Sequence, residues 1–191
     1  LYLLAKERLR TDNEWAFKGQ MANDFDNKLM NLGCVLQYQR DYWQDDDAAK
    51  SIKFIQYFLL SRLNPNTGIW CDDDLSNEEV RSRKVQFAYH LLPLFLYDKI
   101  YDFDFEKIID VTLKTQNQFG GYGVKPNSSA CDDIDSVDIL VRFAKFSAGN
   151  QTRIRASLLK GMKWNCLNQV SDGGFVFRLN EPFVYGHIEL S

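Results

Sequence analysis

Apolar positions recur with a period near 3.6 residues in six separate segments of the 191-residue chain. This period is typical of helices that bury one face, so the pattern predicts an all-α fold. Taken in order, the segments form three antiparallel helix pairs. The predicted helices cover 26–42, 48–63, 78–98, 105–116, 132–147 and 153–168.

The same pattern separates two kinds of helix. In the first and fifth segments the apolar positions cover most of the circumference, which is typical of a helix that is buried on most sides. The second and sixth segments are amphipathic and leave lysine and arginine side chains for water. We therefore expect odd-numbered helices to form an inner layer and even-numbered helices an outer layer. Within the third segment, Pro93 predicts a kink or a local break in the backbone hydrogen bonds of the helix.

A glycine–aromatic sequence follows each even-numbered helix. The three aromatic residues lie 52 and 53 residues apart, and two copies carry a glutamine four residues before the first glycine. A period of this length indicates a repeated helical hairpin. Glycine lets the chain leave a helix through a left-handed turn, so we expect the three turns at one end of the molecule. The copies are Gly68-Ile69-Trp70, Gly120-Gly121-Tyr122 and Gly173-Gly174-Phe175.

Composition narrows the classes of partner. A hydrophobic content of 45% is enough for a substantial core, and a net charge of −3 without a basic run argues against nucleic acid. The apolar stretches are far shorter than the ~20 residues of a membrane span, so no transmembrane segment is expected. The four cysteines are widely spaced and form no CxxC pair, which favours a reducing compartment. We therefore expect a cytoplasmic protein.

The turn sequences resemble a known family. Residues 116–122 and 169–175, each running from a glutamine to an aromatic residue, are similar to the repeated motif of squalene-hopene cyclases and to the repeats of protein prenyltransferases. Asp135-Ser136-Val137 is similar to the Asp-Thr-Ala that opens the next inner helix in such repeats. The resemblance covers about 130 residues, from Leu63 onwards. It implies an α/α toroid, in which inner and outer helices form concentric rings.

The resemblance also bears on domain organisation. Such rings are usually built from roughly five to seven hairpins, as the resemblance implies, whereas three are visible here. We expect 1–191 to form a single partial α/α-toroid domain, about half of a larger ring. The hairpins would lie near 24–74, 78–125 and 132–180. The chain would then be a fragment of a longer protein, whose remaining hairpins are its partners.

Acidic residues cluster where the fifth predicted helix begins, and Asp132, Asp133 and Asp135 are the candidate catalytic residues. In class II terpene cyclases the corresponding position carries Asp-x-Asp-Asp, whose middle carboxylic acid donates a proton, and Ile134 stands there in this chain. Class I enzymes hold magnesium with Asp-Asp-x-x-Asp, and here the third carboxylate comes one residue early. Helix capping explains the same acids, because carboxylates favour the first turn of a helix.

Zinc is the other metal to consider, as the resemblance to protein prenyltransferases implies. It would require the side chains of Cys131, Asp132 and His187 to converge, although their spacing does not reproduce the family's Asp-x-Cys pattern. The sequence therefore does not decide whether the protein has no cofactor, magnesium or zinc.

Aromatic and basic side chains supply the candidate substrate-binding residues. An aromatic face stabilises a carbocation or stacks on a sugar, and an arginine holds an anion. Packing over the end of a helix ring explains the same composition, and a histidine on an inner helix also fits a paired core position. The candidates are Trp70, Tyr122, Arg178, Tyr185, His187 and His90.

The leading functional hypothesis is an enzyme domain that binds an isoprenoid or related ligand in a central cavity. It would then act as a terpenoid cyclase or prenyltransferase. One alternative is a carbohydrate-processing toroid enzyme, similar to a polysaccharide lyase or glycoside hydrolase, and another is a non-catalytic helical-repeat scaffold. A dry aromatic pocket would favour an isoprenoid, whereas an open groove with paired carboxylates and planar polar groups would favour a glycan.

Overall fold

A computed structural model describes residues 25–123 and 126–181 of the chain. Its described part contains six α-helices and no β-strand beyond two isolated bridges within turns, so the prediction of an all-α fold is confirmed. None of these helices is both long and apolar enough to cross a membrane. The helices are α1 Phe25–Trp43, α2 Asp46–Ser61, α3 Glu78–Tyr97, α4 Phe105–Leu113, α5 Ala130–Phe143 and α6 Gln151–Leu167.

Polar side chains fix where four of the helices begin. Each accepts a hydrogen bond from a backbone N–H of the first turn, which otherwise has no partner within the helix. These capping residues are Asp45 before α2, Asn77 before α3, Asp104 before α4 and Ser129 before α5. The helix α3 continues past Pro93 to Tyr97, so the proline does not end it.

The odd-numbered helices form one contiguous layer. Helix α1 packs on α3, and α3 packs on α5. The even-numbered helices cover this layer: α2 packs on α1, α4 on α3 and α5, and α6 on α5. Between the layers lies a core of fully buried apolar side chains, which includes Leu36, Ile55, Leu59, Leu91, Leu94, Phe95 and Ile109.

The three glycine–aromatic sequences form turn 1 (64–70), turn 2 (116–122) and turn 3 (169–175). In turn 2 the N–H of Asn117 donates to the carbonyl of Gly121 at 2.8 Å, and the N–H of Gly123 donates to Thr115 at 2.9 Å. Turn 3 repeats both hydrogen bonds 53 residues later with the same lengths, from Val170 to Gly174 and from Val176 to Asn168. The repeat in sequence is therefore also a repeat in backbone structure.

The glutamine of the motif closes its own turn. Nε2 of Gln116 donates to the carbonyl of Gly120 at 2.8 Å, and Nε2 of Gln169 donates to that of Gly173 at 3.1 Å. Turn 1 has the shorter Asn64 at this position, and its amide donates to the carbonyl of Cys71 at 2.7 Å. An amide side chain thus holds all three turns.

The turns lie at the end of the molecule where α3 and α5 begin. Turn 1 leads directly into α3, and Arg81 in the first part of α3 donates to the carbonyl of Lys114, just before turn 2. After turn 3, the carbonyl of Phe177 accepts from the N–H of Ala130, the first residue of α5, at 2.9 Å. The amino ends of α3 and α5 and the three turns therefore surround one region.

Helix α5 is less buried than its pattern predicts. Leu140 and Phe143 lie in the core, but Ile134 and Val141 are each 55% exposed. The prediction of a helix that is buried on most sides is wrong for this face, because no described part of the chain packs against it.

Two glycines of the repeat allow a matched test of the turn structure. A Cβ atom added to Gly120 would lie 2.5 Å from the carbonyl oxygen of Lys160, whereas one added to Gly173 would meet nothing within 4 Å. Both glycines have a positive φ, so alanine costs about 1 kcal/mol of backbone strain at either position. We expect Gly120→Ala to lower the free energy of unfolding by about 1–3 kcal/mol more than Gly173→Ala, because only Gly120→Ala adds a backbone clash. Urea denaturation measures the difference, and equal losses would contradict the described contact.

Candidate functional site

The three candidate aspartates at the start of α5 have different environments. Asp132 forms a capping box with Ser129: its carboxylate accepts from the Ser129 N–H at 3.0 Å, and its own N–H donates to Ser129 Oγ at 3.2 Å. It also accepts a hydrogen bond from Nε2 of Gln86 on α3. Asp132 therefore both starts its helix and joins α5 to α3.

Asp133 is surrounded by hydrogen-bond donors and is only 3% exposed. It accepts from the N–H of Tyr122 at 2.6 Å, from Oγ of Ser128 at 3.0 Å and from Nε1 of Trp164 at 3.1 Å. Burial raises the pKa of this carboxyl, and the three donors oppose that rise. These contacts give Asp133 a structural role, because it ties turn 2 and α6 to the start of α5.

Asp135 is equally buried but has no such donors. Its side chain is 4% exposed, and in the described part of the chain no donor is hydrogen-bonded to its carboxyl group. Burial raises the pKa of Asp135 to about 7. The charges of His90 and Arg83 lower this pKa, whereas those of Asp132 and Asp26 raise it, so all four residues lie close enough to act on the group.

A buried ion cluster lies beside Asp135. Asp26 on α1 has no exposed surface, and its two carboxylate oxygens accept from the Arg83 guanidinium at 2.8 and 2.9 Å. Nδ1 of His90 lies 2.8 Å from the same carboxylate. Burial alone would raise the pKa of Asp26, but the hydrogen bonds from His90 and Arg83 hold it well below its ordinary value. An ionised Asp26 accepts rather than donates, so Nδ1 of His90 is the donor in this hydrogen bond.

A cleft of about 230 Å³ opens at the same end of the molecule, between the start of α3, the start of α5 with the segment before it, and the segment after turn 3. All of its described lining residues are polar, and Arg83 joins the cleft to the ion cluster. The lining consists of Glu79, Ser82, Arg83, Gln86, Asn127, Asp132 and Arg178.

Two polar atoms beside this cleft lack a protein partner. Nε of Arg178 and Oδ1 of Asn127 are both buried, and neither is hydrogen-bonded to any described residue. Buried polar atoms in proteins are nearly always paired with protein, water or ligand. Both atoms belong to residues that line the cleft.

The remaining sequence candidates divide into buried, distant and undescribed residues. Trp70 and Tyr122 have no exposed surface, so neither ring presents a face to a ligand here. Tyr185 and His187 lie outside the described residues. Within residues 25–123 and 126–181, no group of three or more histidine, cysteine, aspartate or glutamate side chains converges in a way that could hold a metal ion.

Sequence reasoning missed Asp26 and Arg83, which lie 57 residues apart in the chain. One signal was present, because polar residues at positions 79, 83, 86 and 90 follow helical spacing along one side of α3. A polar stripe on a helix that packs between two others indicates polar contacts with its neighbours. No local pattern pointed to Asp26, since its partners come from a different hairpin.

Neither a protein-family model, nor a curated protein, nor a solved structure matches this chain.

Proposed function

We propose that the chain forms part of an α/α-toroid enzyme domain in which the polar cleft and the buried ion cluster make one acid–base site. The observation that carries the proposal is the buried, donor-free carboxyl of Asp135 beside the Asp26–Arg83–His90 cluster. The toroid itself is supported by the repeated turns, by the continuous layer of odd-numbered helices and by the resemblance to cyclase and prenyltransferase repeats.

The site provides groups that suit proton transfer near neutral pH. A carboxyl with a pKa of about 7 is protonated in roughly half of the molecules at that pH, which suits a general acid. Asp26 stays ionised in the same cluster, and environments that push two carboxyl pKa values apart are typical of acid–base pairs in enzymes. The contact between Nδ1 of His90 and Asp26 fixes the orientation of the imidazole ring beside these carboxyl groups.

The cleft favours a polar ligand over a hydrocarbon. Its lining contains planar guanidinium and amide groups together with carboxylates, and no described lining residue is apolar. Two arginines, Arg83 and Arg178, favour a ligand that carries an acidic group. A volume of about 230 Å³ is below the ~300–1,000 Å³ of pockets that hold drug-sized ligands, and is suited to one sugar ring or a head group. We therefore propose an acidic carbohydrate as the substrate class.

An isoprenoid diphosphate is the second candidate. The arginine pair suits a diphosphate as well as a carboxylate, and the motif resemblance favours this class. The hydrocarbon tail would have to lie outside the described cleft lining, which is the reason that we place this candidate second.

The two candidates and the acid–base role can be tested together. The whole chain is assayed for binding and turnover of an oligouronate and of a polyprenyl diphosphate, first unaltered and then with Asp135→Asn. We expect the oligouronate to be turned over, and Asp135→Asn to reduce turnover by about 100-fold or more while binding changes little, because a general acid contributes 10²–10⁴-fold. Asp138→Asn is the matched control, since Asp138 lies on the same helix but its carboxylate pairs with Arg142.

Three outcomes would contradict the proposal. Turnover that survives Asp135→Asn would remove the acid role of this residue. Turnover of the polyprenyl diphosphate alone would favour the second candidate. Binding without turnover of either compound would favour a non-catalytic scaffold.

A further inference from the structure

Turn 2 docks on the outer helix of the next hairpin, α6. The hydroxyl groups of Tyr122 and Ser157 are hydrogen-bonded at 2.7 Å, and Nε2 of Gln116 donates to the carbonyl of Ser157 at 2.9 Å. The ring of Tyr122 lies against Gly161, where an added Cβ would be 3.0 Å from the ring. The side chains of Gln116 and Tyr122 in turn 2 thus contact the same helix, α6.

Turn 1 docks on α4 in the same way. Gly68 lies against the start of α4, where an added Cβ would be 3.1 Å from the carbonyl oxygen of Asp104. Nζ of Lys107 donates to the carbonyl of Pro65 at 2.7 Å. Lys160, 53 residues further on, donates to the carbonyl of Asn117 in turn 2 at 3.5 Å. The contact between a turn and the next outer helix is therefore itself repeated.

Turn 3 has the backbone of turn 2 but contacts no such helix among residues 25–123 and 126–181. An atom added to Gly173 would meet nothing within 4 Å, and Phe175 is 64% exposed, whereas Trp70 and Tyr122 are fully buried. The face of the turn that packs on a helix in turns 1 and 2 is thus exposed in turn 3.

An inner-layer face is open on the same side. Ile134 and Val141 on α5 correspond, 52 residues later, to Ser82 and Tyr89 on α3. Those two residues face α5, since Ser82 lines the cleft with Asp132, and Tyr89 lies beside Ile139 and Phe143 of α5. The equivalent positions on α5 are exposed and apolar.

We propose that turn 3 and the Ile134–Val141 face of α5 together form a docking surface for a fourth helical hairpin of the same kind, supplied by a longer form of this polypeptide. Its outer helix would cover Phe175 and Gly173, as α6 covers Tyr122 and Gly120, and would donate a lysine to the carbonyl of Val170. Its inner helix would cover Ile134 and Val141. The occupant is inferred from the two filled copies of the same contact, and the inference does not depend on the acid–base chemistry.

The test supplies the missing hairpin. In an extended chain, residues 124–176 are repeated once directly after residue 176, which keeps the 53-residue register. We expect this chain to have a higher Tm than the 191-residue chain. Phe175→Ala should then lower the Tm of the extended chain by about 6–12 °C, as for loss of a buried aromatic ring, but shift that of the 191-residue chain by less than about 2 °C.

Other results would overturn the proposal. It fails if the extended chain is no more stable, or if Phe175→Ala has the same small effect in both chains. Sedimentation of the 191-residue chain tests a different occupant. A dimer that Phe175→Glu abolishes would show that a second copy covers turn 3, and would also overturn the proposal.

Discussion

Trp70→Ala is expected to lower the free energy of unfolding by about 3–5 kcal/mol, the cost typical of deleting a large aromatic side chain from a core. The Trp70 ring has no exposed surface and lies 5.9 Å from the ring of Phe95 and 6.2 Å from that of Phe103. Its Nε1 donates to the carbonyl of Leu59 at 2.7 Å, so the substitution also removes one hydrogen bond to the last turn of α2. Urea denaturation followed by circular dichroism measures the loss.

The chain contains its own control for this substitution. Phe175 occupies the equivalent position of turn 3 but is 64% exposed, so Phe175→Ala should change the free energy of unfolding by less than about 0.5 kcal/mol. The two residues occupy the same place in the repeated turn, and the expected difference comes from what contacts each ring. Similar losses at Trp70 and Phe175 would contradict the described docking of the turns.

Asp135→Asn is expected to make the protein more stable at pH 8 and to leave its stability nearly unchanged at pH 4. Burial raises the pKa of Asp135 from its ordinary value of about 3.9 to about 7, so the folded protein binds this proton more tightly than the unfolded chain. The resulting stabilisation is fully present below about pH 4 and is lost as pH rises through about 7. Three pKa units correspond to about 4 kcal/mol, which the unaltered protein should lose over this range.

The difference between the two proteins isolates this one group. Subtracting the free energies of unfolding of the Asp135→Asn variant and the unaltered protein at each pH removes the contributions of all other titrating residues that the substitution leaves unchanged. Asp138→Asn, on the same helix but paired with Arg142, again serves as the control. A constant difference across that range would mean that Asp135 has an ordinary pKa.

A group that costs stability at neutral pH calls for an explanation. Asn or a small apolar residue at position 135 would fill the same space without the cost of ionisation, whereas Asp133 gains three hydrogen bonds for its burial. Strained or poorly compensated ionisable groups are typical of functional sites, where stability is lower than it could be. This contrast between two neighbouring aspartates is the reason that we assign the acid role to Asp135.

The helices could be predicted from the sequence because their signals are local. The first was expected at 26–42 and is found at Phe25–Trp43. The largest difference is at the end of α5, which was expected to reach Ser147 but ends at Phe143. Helix α4 was expected to reach Gln116 but ends at Leu113. Thr115 and Gln116 instead take part in turn 2, where hydrogen bonds to Gly123 and Gly120 replace the helical ones.

The candidate site could be predicted only in part. The sequence pointed to the aspartates at the start of α5, because neighbouring acidic residues at a predicted helix start form a local pattern. It could not separate them, because the donors to Asp133 come from residues 11 and 31 positions away. The partners of Asp26 lie 57 and 64 residues away, so the ion cluster exists only in the folded chain.

The exposed side of α5 shows a further limit of pattern reading. Ile134 and Val141 are apolar, and their spacing predicts burial, but the partner that would bury them is not among the described residues. Hydrophobic periodicity predicts which face of a helix is buried by another part of the protein. The periodicity does not predict which segment packs against that face.

The most direct test of the account is a titration of the Asp135 carboxyl carbon by NMR in the ¹³C-labelled protein, with Asp135→Asn used to assign the resonance. We expect a midpoint near pH 7, because this carboxyl is buried without a hydrogen-bond donor beside the Asp26–Arg83–His90 cluster. A midpoint near pH 4 would show an ordinary solvated carboxylate and would contradict the proposed acid–base site.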